Sequence, residues 1–459
     1  MTAPSQSISR YRTALDLLML FISKSGAIVV GMFFLPWYQQ LLGPEAFGIV
    51  ALVLSLQAFL LMLDLGTSTL VGRDLASGQS HYPADVTLSA AQLVLHIAYL
   101  VLLVTAVAVG NIWASTVSVW QLIACVVFFW ALTVQNVGQS ALLARRAYLQ
   151  AGKAQTIGVI VRAVITLAAL KLVSANLTTF LLAQTVTAVI QMVATSWLCN
   201  RALDSRQLSF NIRPLLPIAR EIALRGKPLV LFGLAGAAVM QLDKVIISTF
   251  LSPSELAPYF LASVLCLTPI SVMAGPITQY FQPRIVASIS NGTAKETERQ
   301  LRLFTTAVIC AVAIPSALLW LGRDFVVHAW LHGQSNSIVV SQYVSILLPG
   351  IAFGSLGFIP YTLLVAHQDY AAQAGMSTAM TVITLVATIG FAAKGSAEGV
   401  CWVYAAYHSL SAVVSWLRAI QLQPPPPHQY ASRTAARALV MLLPLAAGGV
   451  LIAYAAPHF

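Results

Sequence analysis

Charged residues are scarce in this chain. Only 8% of its 459 residues are Asp, Glu, Lys or Arg, whereas hydrophobic residues make up 58%. An ordinary soluble domain has about 25% charged residues. This deficit excludes a mainly soluble protein and indicates a polytopic membrane protein. The net charge of +11 would suggest nucleic acid in a soluble protein. Membrane topology explains it here, and we expect no nucleic-acid partner.

The sequence also lacks the motifs of catalysis and of nucleotide binding. It contains no Gly-rich phosphate loop, no His-Glu-x-x-His and no Gly-x-Ser-x-Gly. Its five cysteines are scattered without paired spacing, which argues against disulfides or a metal site. His328 and His332 have only Asp324 as a nearby carboxylate in the sequence, so a polar turn is the simpler interpretation. We therefore expect no enzyme, no catalytic residue, no metal and no cofactor.

Long apolar segments dominate the chain. Most of them reach the ~20 residues that an α-helix needs to cross a bilayer. The pattern predicts an all-α polytopic membrane protein with 12–14 transmembrane helices and a best count of 13. The predicted segments are 13–36, 46–66, 86–110, 117–143, 154–170, 177–198, 228–250, 256–280, 303–322, 338–366, 370–393, 397–417 and 438–456.

The positive charges are sorted between alternate gaps. Of the 25 Lys and Arg residues, 19 lie at the N-terminus or in every second gap, and only 3 lie in the other gaps. Loops rich in Lys and Arg stay cytoplasmic. The sequence therefore predicts a cytoplasmic N-terminus, and an odd helix count places the C-terminus outside.

The longest basic loop divides the segments into two groups of six. We predict an N-terminal half at 1–200, a cytoplasmic loop at 201–227, a C-terminal half at 228–420 and a terminal helix with its proline spacer at 421–459. The turns at 42–56 and 251–265 share a proline, an acidic residue and an apolar run, which favours internal duplication. Transporters are often built from such repeats.

Several ionisable residues fall inside the predicted helices. Charges in hydrocarbon are costly and tend to face a bundle interior or an aqueous cavity. Arg162, Lys244 and Lys24 are the candidate cations, and Asp243 precedes Lys244. Arg162 is the first candidate because a guanidinium stays charged and binds phosphate through two hydrogen bonds. The alternative is a structural Arg162 that pairs with carbonyl groups or with Asp243.

Amide side chains supply a second polar feature. Gln184 and Gln191 are seven residues apart and share one face of the sixth helix, and Gln57 lies in the second. Such a stripe suits sugar hydroxyls, which need many donors and acceptors. It equally suits packing between helices, and both interpretations stay open.

Two motifs resemble those of a known family. The segment 41–76, LLGPEAFGIVALVLSLQAFLLMLDLGTSTLVGRDLA, resembles the second-helix region of Wzx-type polysaccharide and O-antigen flippases, which belong to the multidrug/oligosaccharidyl-lipid/polysaccharide (MOP) exporter superfamily. The segment 240–259, MQLDKVIISTFLSPSELAPY, looks like the seventh-helix pattern of that family. The motif positions of the first segment are Gly43, Pro44, Glu45, Gly48, Asp64, Gly66 and Arg73.

The resemblance implies two six-helix bundles that form a V-shaped central cavity. It implies that the protein moves an undecaprenyl-diphosphate-linked oligosaccharide from the cytoplasmic to the outer leaflet for surface polysaccharide synthesis, by alternating access. The expected location is the bacterial inner membrane. The expected partners are the lipid-linked oligosaccharide, a polysaccharide polymerase and chain-length regulator proteins.

Three rival functions remain open. An ion-coupled multidrug or metabolite exporter of the same superfamily would show buried carboxylates that bind cations. A polysaccharide polymerase or ligase would show a large outer loop, whereas the longest outer gap here, 323–337, is short. A non-transporting subunit of an export complex would tolerate the loss of all buried charges.

Overall fold

The computed structural model describes residues 5–62, 64–77, 82–112, 118–145, 147–203, 212–290, 294–367, 369–422 and 430–455. These residues form helices joined by short turns, and none of them lies in a β-strand. The all-α fold predicted from the sequence is confirmed. Each of the thirteen predicted apolar segments overlaps a helix.

The first helical run, α1 (Ser5–Met62), contains a sharp break at Gly43. Gly43 has φ 77° and ψ 167°, and this left-handed φ favours glycine because it has no Cβ atom. Pro44 then starts the next helix, where its missing N–H removes no helical hydrogen bond. Glu45 follows near the positive end of that helix dipole. The family motif is therefore the junction of two successive helices.

A second motif turn follows the same run. The Asp64 carboxylate accepts hydrogen bonds from the backbone N–H groups of Gly66 at 3.1 Å and Ser68 at 3.3 Å. Asn136 Nδ2 donates to the same carboxylate at 3.3 Å. Leu65 and Gly66 adopt φ 56° and φ 69°. Asp64 thus stabilises a tight turn and fastens it to a helix further along the chain.

The remaining helices of the first half follow in order. They are α2 (Thr67–Ser77), α3 (Ala84–Ile112), α4 (Val119–Ala144), α5 (Tyr148–Leu172) and α6 (Leu177–Ala202). Ser118 caps α4 with a reciprocal bond pair to Gln121, and Asn176 caps α6. Both are residues that satisfy free N–H groups at a helix start.

The second half continues from a long helix, α7 (Leu215–Phe250), through nine more. They are α8 (Pro253–Ser290), α9 (Ala294–Val308), α10 (Ile314–Leu321), α11 (Arg323–Trp330), α12 (Ser337–Gly354), α13 (Phe358–Ala366), α14 (Tyr370–Ala392), α15 (Ala397–Gln421) and α16 (Tyr430–Ala455). A π-helical turn, Ile309–Ala313, joins α9 to α10, and a 3₁₀ turn, Ser355–Gly357, joins α12 to α13.

Two compact units divide the chain, Met1–Leu242 and Asp243–Phe459. The division falls inside α7. Ten helical runs within the described residues are long and apolar enough to cross a membrane, so the chain is a multi-pass membrane protein. The count of thirteen, the predicted half boundaries and the orientation stay predictions. The proline spacer lies outside the described residues.

Candidate functional site

Arg162 lies in the middle of α5, inside the first unit. Its guanidinium carbon is 5.9 Å from the centroid of the Phe128 ring on α4. Its Nη1 atom is buried and has no hydrogen-bond partner among the described residues. Within the same part of the chain, no carboxylate forms an ion pair with Arg162. Arg162 as a whole is half-buried, so its Nη1 end is enclosed by protein while no carboxylate of the described residues neutralises the charge.

Aromatic and polar side chains from three helices surround this cation. The Tyr38 hydroxyl of α1 interacts electrostatically with Arg162 and donates a hydrogen bond to the Ala163 carbonyl at 3.0 Å. The Tyr38 ring packs edge-on against Phe180 of α6, with 5.4 Å between centroids. Thr166 is fully buried one turn beyond Arg162. These contacts fix the walls of the site through packing of α1, α4, α5 and α6.

A further unsatisfied polar atom belongs to the next residue of α1. Gln39 follows Tyr38 in α1, is buried, and its Oε1 atom has no partner among the described residues. Buried polar groups are nearly always hydrogen-bonded, so an exception requires an explanation such as a ligand, an ion or water. A buried guanidinium can give charge-assisted hydrogen bonds to phosphate or carboxylate oxygens. Arg162 therefore fits an anionic group, whereas the Gln39 Oε1 acceptor requires a hydrogen-bond donor.

The glutamines predicted as site residues differ from one another in their surroundings. Gln191 donates from Nε2 to the Ala154 carbonyl of α5 at 3.3 Å. A Cβ atom on residue 158 would lie 2.0 Å from that nitrogen, so Gly158 makes room for the amide. Gln191 therefore joins α5 to α6, although its Oε1 atom has no partner among the described residues. Gln184 is buried and Gln57 is half-buried.

The second unit contains a different buried charge group. Lys244 Nζ lies 2.8 Å from Asp243 Oδ2, and the two side chains are only 6% and 1% exposed. Tyr259 of α8 donates its hydroxyl proton to the same Oδ2 at 2.6 Å. Tyr404 and His408 of α15 interact electrostatically with Asp243 and Lys244 respectively. Asp243 Oδ1 has no partner in the described part of the chain.

For two predicted site residues the position of the side chain is not described. Lys24 and Arg73 belong to α1 and α2, but their side chains lie outside the described residues. Tyr38 and Phe128 could not be identified from the sequence. These residues resemble ordinary core residues of apolar segments, and only the packing of distant helices brings them to Arg162. Where side chains are described, no group of three or more His, Cys, Asp or Glu residues could hold a metal ion.

Solved structures with a similar fold are transporters. A MOP superfamily transporter from Pyrococcus furiosus is 15% identical, with a TM-score of 0.61, and the match covers 88% of this chain and 94% of that chain. An inward-facing multidrug resistance MATE family transporter of the MOP superfamily is 16% identical, with a TM-score of 0.65 and coverage of 87% and 93%. A MATE transporter from Vibrio cholerae is 12% identical, with a TM-score of 0.60 and coverage of 90% and 98%. At these identities the similarity establishes the fold.

The sequence itself matches a protein family over most of its length. No curated protein matches significantly, but a family described as polysaccharide biosynthesis protein matches residues 39–319. This range includes the Gly43 junction, the Asp64 turn, Arg162 and the Asp243–Lys244 pair. The chain is a multi-pass membrane protein with the MOP transporter fold, and it belongs to the polysaccharide biosynthesis protein family.

Proposed function

We propose that this protein is a flippase for an undecaprenyl-diphosphate-linked oligosaccharide. It moves the glycolipid from the cytoplasmic to the outer leaflet of a bacterial inner membrane by alternating access. The N-terminus lies in the cytoplasm and the C-terminus outside. Labelling of cysteines placed in the 199–227 loop of intact cells tests this orientation, because external labelling contradicts it. A polysaccharide polymerase and chain-length regulators are its proposed partners.

The environment of Arg162 carries this proposal. An unpaired cation within a transmembrane bundle is costly, and a diphosphate supplies the anionic oxygens that would satisfy it. The neighbouring Tyr38 hydroxyl already donates to the Ala163 carbonyl and can still accept a hydrogen bond from the sugar next to the diphosphate. Lys244, Gln184 and Gln57 are further proposed substrate contacts. The polyprenyl tail stays in the bilayer, so the protein needs to shield only the polar part of the lipid.

Reconstituted vesicles offer the direct test of this function. A purified lipid-linked oligosaccharide is placed in the membrane, and a lectin outside the vesicles reports its appearance in the opposite leaflet. We expect Arg162→Ala to slow the movement by about 10- to 100-fold, which corresponds to the ~1.5–3 kcal/mol of a hydrogen bond to a charged group. Arg162→Lys keeps the charge but loses the planar fork, so it should restore only part of the rate.

A matched control lies on the same helix. Lys171 is exposed at the end of α5, and its ammonium group lies 4.8 Å from the centroid of the Trp37 ring. Lys171→Ala also removes one positive charge from α5 but leaves the Arg162 surroundings intact. We expect a rate close to that of the parent. A fully active Arg162→Ala protein contradicts the role of Arg162, and no movement of any polyprenyl glycolipid by the parent protein contradicts the flippase proposal itself.

One observation favours the rival ion-coupled exporter. The buried Asp243 carboxylate leaves Oδ1 without a partner among the described residues, and such an oxygen can bind a proton or a small cation. An imposed ion gradient that drives efflux of cationic dyes, without any movement of glycolipid, would favour the exporter. Movement of the glycolipid alone would favour the flippase.

A further inference from the structure

The first part of α7 packs against the first half of the chain. We call residues 215–226 the docked segment. Its side chains Ala219 and Ile222 are buried in an apolar cluster with Leu70 and Val71 of α2 and Leu88 of α3. The opposite side of the segment is polar or exposed, with Arg220 and Leu224 facing outward. The segment therefore uses one face to cover the α2 and α3 surface.

Two polar contacts connect the edges of this apolar interface. Arg225 Nη2 donates to both carboxylate oxygens of Asp74, at 3.1 and 2.8 Å. Tyr82 donates its hydroxyl proton to Glu221 Oε2 at 3.0 Å. The Arg225 and Glu221 side chains are 36% and 40% exposed, so water can replace these contacts. Asp74 is only 11% exposed, so its pair with Arg225 contributes more than a fully exposed ion pair, while the exposed partners let water enter as the contacts open.

A tight backbone approach completes the docking. A Cβ atom on residue 226 would lie 2.4 Å from the Leu65 carbonyl oxygen, so only Gly226 allows the docked segment to come this close. Leu65 itself has φ 56°, a conformation that a leucine seldom adopts. Backbone strain of this kind is typical of switch regions.

We propose that the docked segment is a releasable latch of the transport cycle. Asp74, Arg225 and Gly226 hold the start of α7 against α2, and release frees that end of the helix. The same helix, Leu215–Phe250, also contains Asp243 and Lys244. Opening of the latch changes the constraint on the helix that carries these charges. The latch acts on the conformational cycle, whichever substrate the protein moves.

Thiol labelling measures the docking without any substrate. The five cysteines are replaced, and Ala219→Cys is introduced on the buried face of the docked segment. In inside-out vesicles, a maleimide should label this thiol far more slowly than a thiol at the exposed Leu216. We expect Asp74→Asn to raise the Ala219→Cys labelling rate about tenfold, because labelling follows the population of the locally open form. Gly226→Ala should have the same effect through its clash with Leu65.

The charge pair also allows a rescue. Asp74→Arg combined with Arg225→Asp should return the labelling rate toward that of the parent. As a control, Asp369→Asn removes a 2.6 Å ion pair with Arg418 in the second unit and should leave the labelling rate unchanged. Equal labelling of Ala219→Cys and Leu216→Cys in the parent overturns the docking. Unchanged labelling in both Asp74→Asn and Gly226→Ala overturns the assigned contacts.

A cross-link tests whether the latch must open. Tyr82→Cys and Glu221→Cys are joined by a short bis-maleimide in the reconstituted protein. We expect the cross-linked protein to stay folded but to lose glycolipid movement, while the same protein without the reagent keeps it. Full transport by the cross-linked protein would show that the docked segment stays bound throughout the cycle, and it would overturn the latch. If the protein moves no glycolipid even before cross-linking, the flippase proposal is contradicted. The labelling results still decide whether the segment is docked.

Discussion

Each of the two units holds a positive charge within its membrane helices, but the side chains around the two charges differ. In the first unit, Arg162 has Phe128 and Tyr38 as neighbours and no ion pair with a carboxylate among the described residues. In the second unit, Lys244 lies 2.8 Å from Asp243, which also accepts a hydrogen bond from Tyr259. Arg162 thus has no carboxylate counter-ion among the described residues, whereas Lys244 has Asp243.

This difference assigns Arg162 mainly to substrate binding and gives the Asp243–Lys244 pair a structural role in addition to the proposed contact of Lys244 with the substrate. Removing one partner of a buried ion pair strands the other charge and is strongly destabilising. Removing an unpaired buried cation strands nothing, and it relieves a desolvation cost. Loss of Arg162 should therefore affect transport, whereas loss of Asp243 should first affect folding.

Asp243→Ala should give the largest effect. The substitution leaves Lys244 buried without its carboxylate, and we expect a loss of about 3–5 kcal/mol of stability. Thermal unfolding of the detergent-purified protein measures this change. The double variant Asp243→Ala with Lys244→Met should recover much of the loss, since it removes both charges. A stable Asp243→Ala protein would remove the distinction between the two cations.

Loss of α16 should have an intermediate effect, confined to the second unit. Glu298 of α9 pairs with Arg437 at 2.8 Å and with Arg433 at 3.5 Å, and Tyr430 contacts His367 at 3.1 Å. Truncation after Gln423 removes these contacts, and we expect a cost of about 1–2 kcal/mol, enough to change abundance several-fold.

Transport per molecule should nevertheless remain measurable, because both proposed six-helix halves are complete without α16. Transport rates are normalised to membrane abundance, measured by quantitative blotting of tagged proteins. Complete loss of transport at normal abundance would place α16 in the functional core. It would also show that the second unit depends on more than its buried ion pair.

Tyr82 should give the smallest effect, because its contact lies outside the membrane-spanning helices. The hydrogen bond to Glu221, together with the negative charge of that residue, raises the pKa of the Tyr82 hydroxyl. The contribution of this bond is therefore fully present at neutral pH and is lost as the pH rises through the raised pKa. Tyr82→Phe should unfold almost like the parent at neutral pH and show a smaller decrease in stability at alkaline pH. An identical alkaline decrease in both proteins would contradict this contribution.

The sequence predicted the helices more fully than the site. Apolar runs and turn residues are local signals, and the Leu-Gly-Pro-Glu motif indicated the junction that Gly43 forms. Arg162 was identifiable because a charge within an apolar segment is rare. Its neighbours were not identifiable, because Tyr38 and Phe128 are distant in sequence and look like core residues. Their proximity depends on long-range packing of helices.

The Asp243–Lys244 contact in α7 is a second feature that the sequence does not predict. Adjacent residues on a helix point about 100° apart, so the sequence does not predict a contact between Asp243 and Lys244. The structure instead brings Nζ and Oδ2 to 2.8 Å, because the flexible lysine stem can bend toward its neighbour. Arg225 and Asp74 were likewise unpredictable as partners, since their contact depends on how α7 docks against α2.

The most direct test of the contrast is a double-mutant cycle on Arg162 and Asp243. Protein abundance and outer-leaflet glycolipid are measured for Arg162→Ala, for Asp243→Ala and for the double variant. We expect Arg162→Ala to keep normal abundance and lose transport, Asp243→Ala to lose abundance, and the double variant to show both losses additively, as independent sites do. Recovery of abundance and transport in the double variant would show that Arg162 and Asp243 neutralise each other, and would contradict the account of Arg162 as an unpaired cation that binds the substrate.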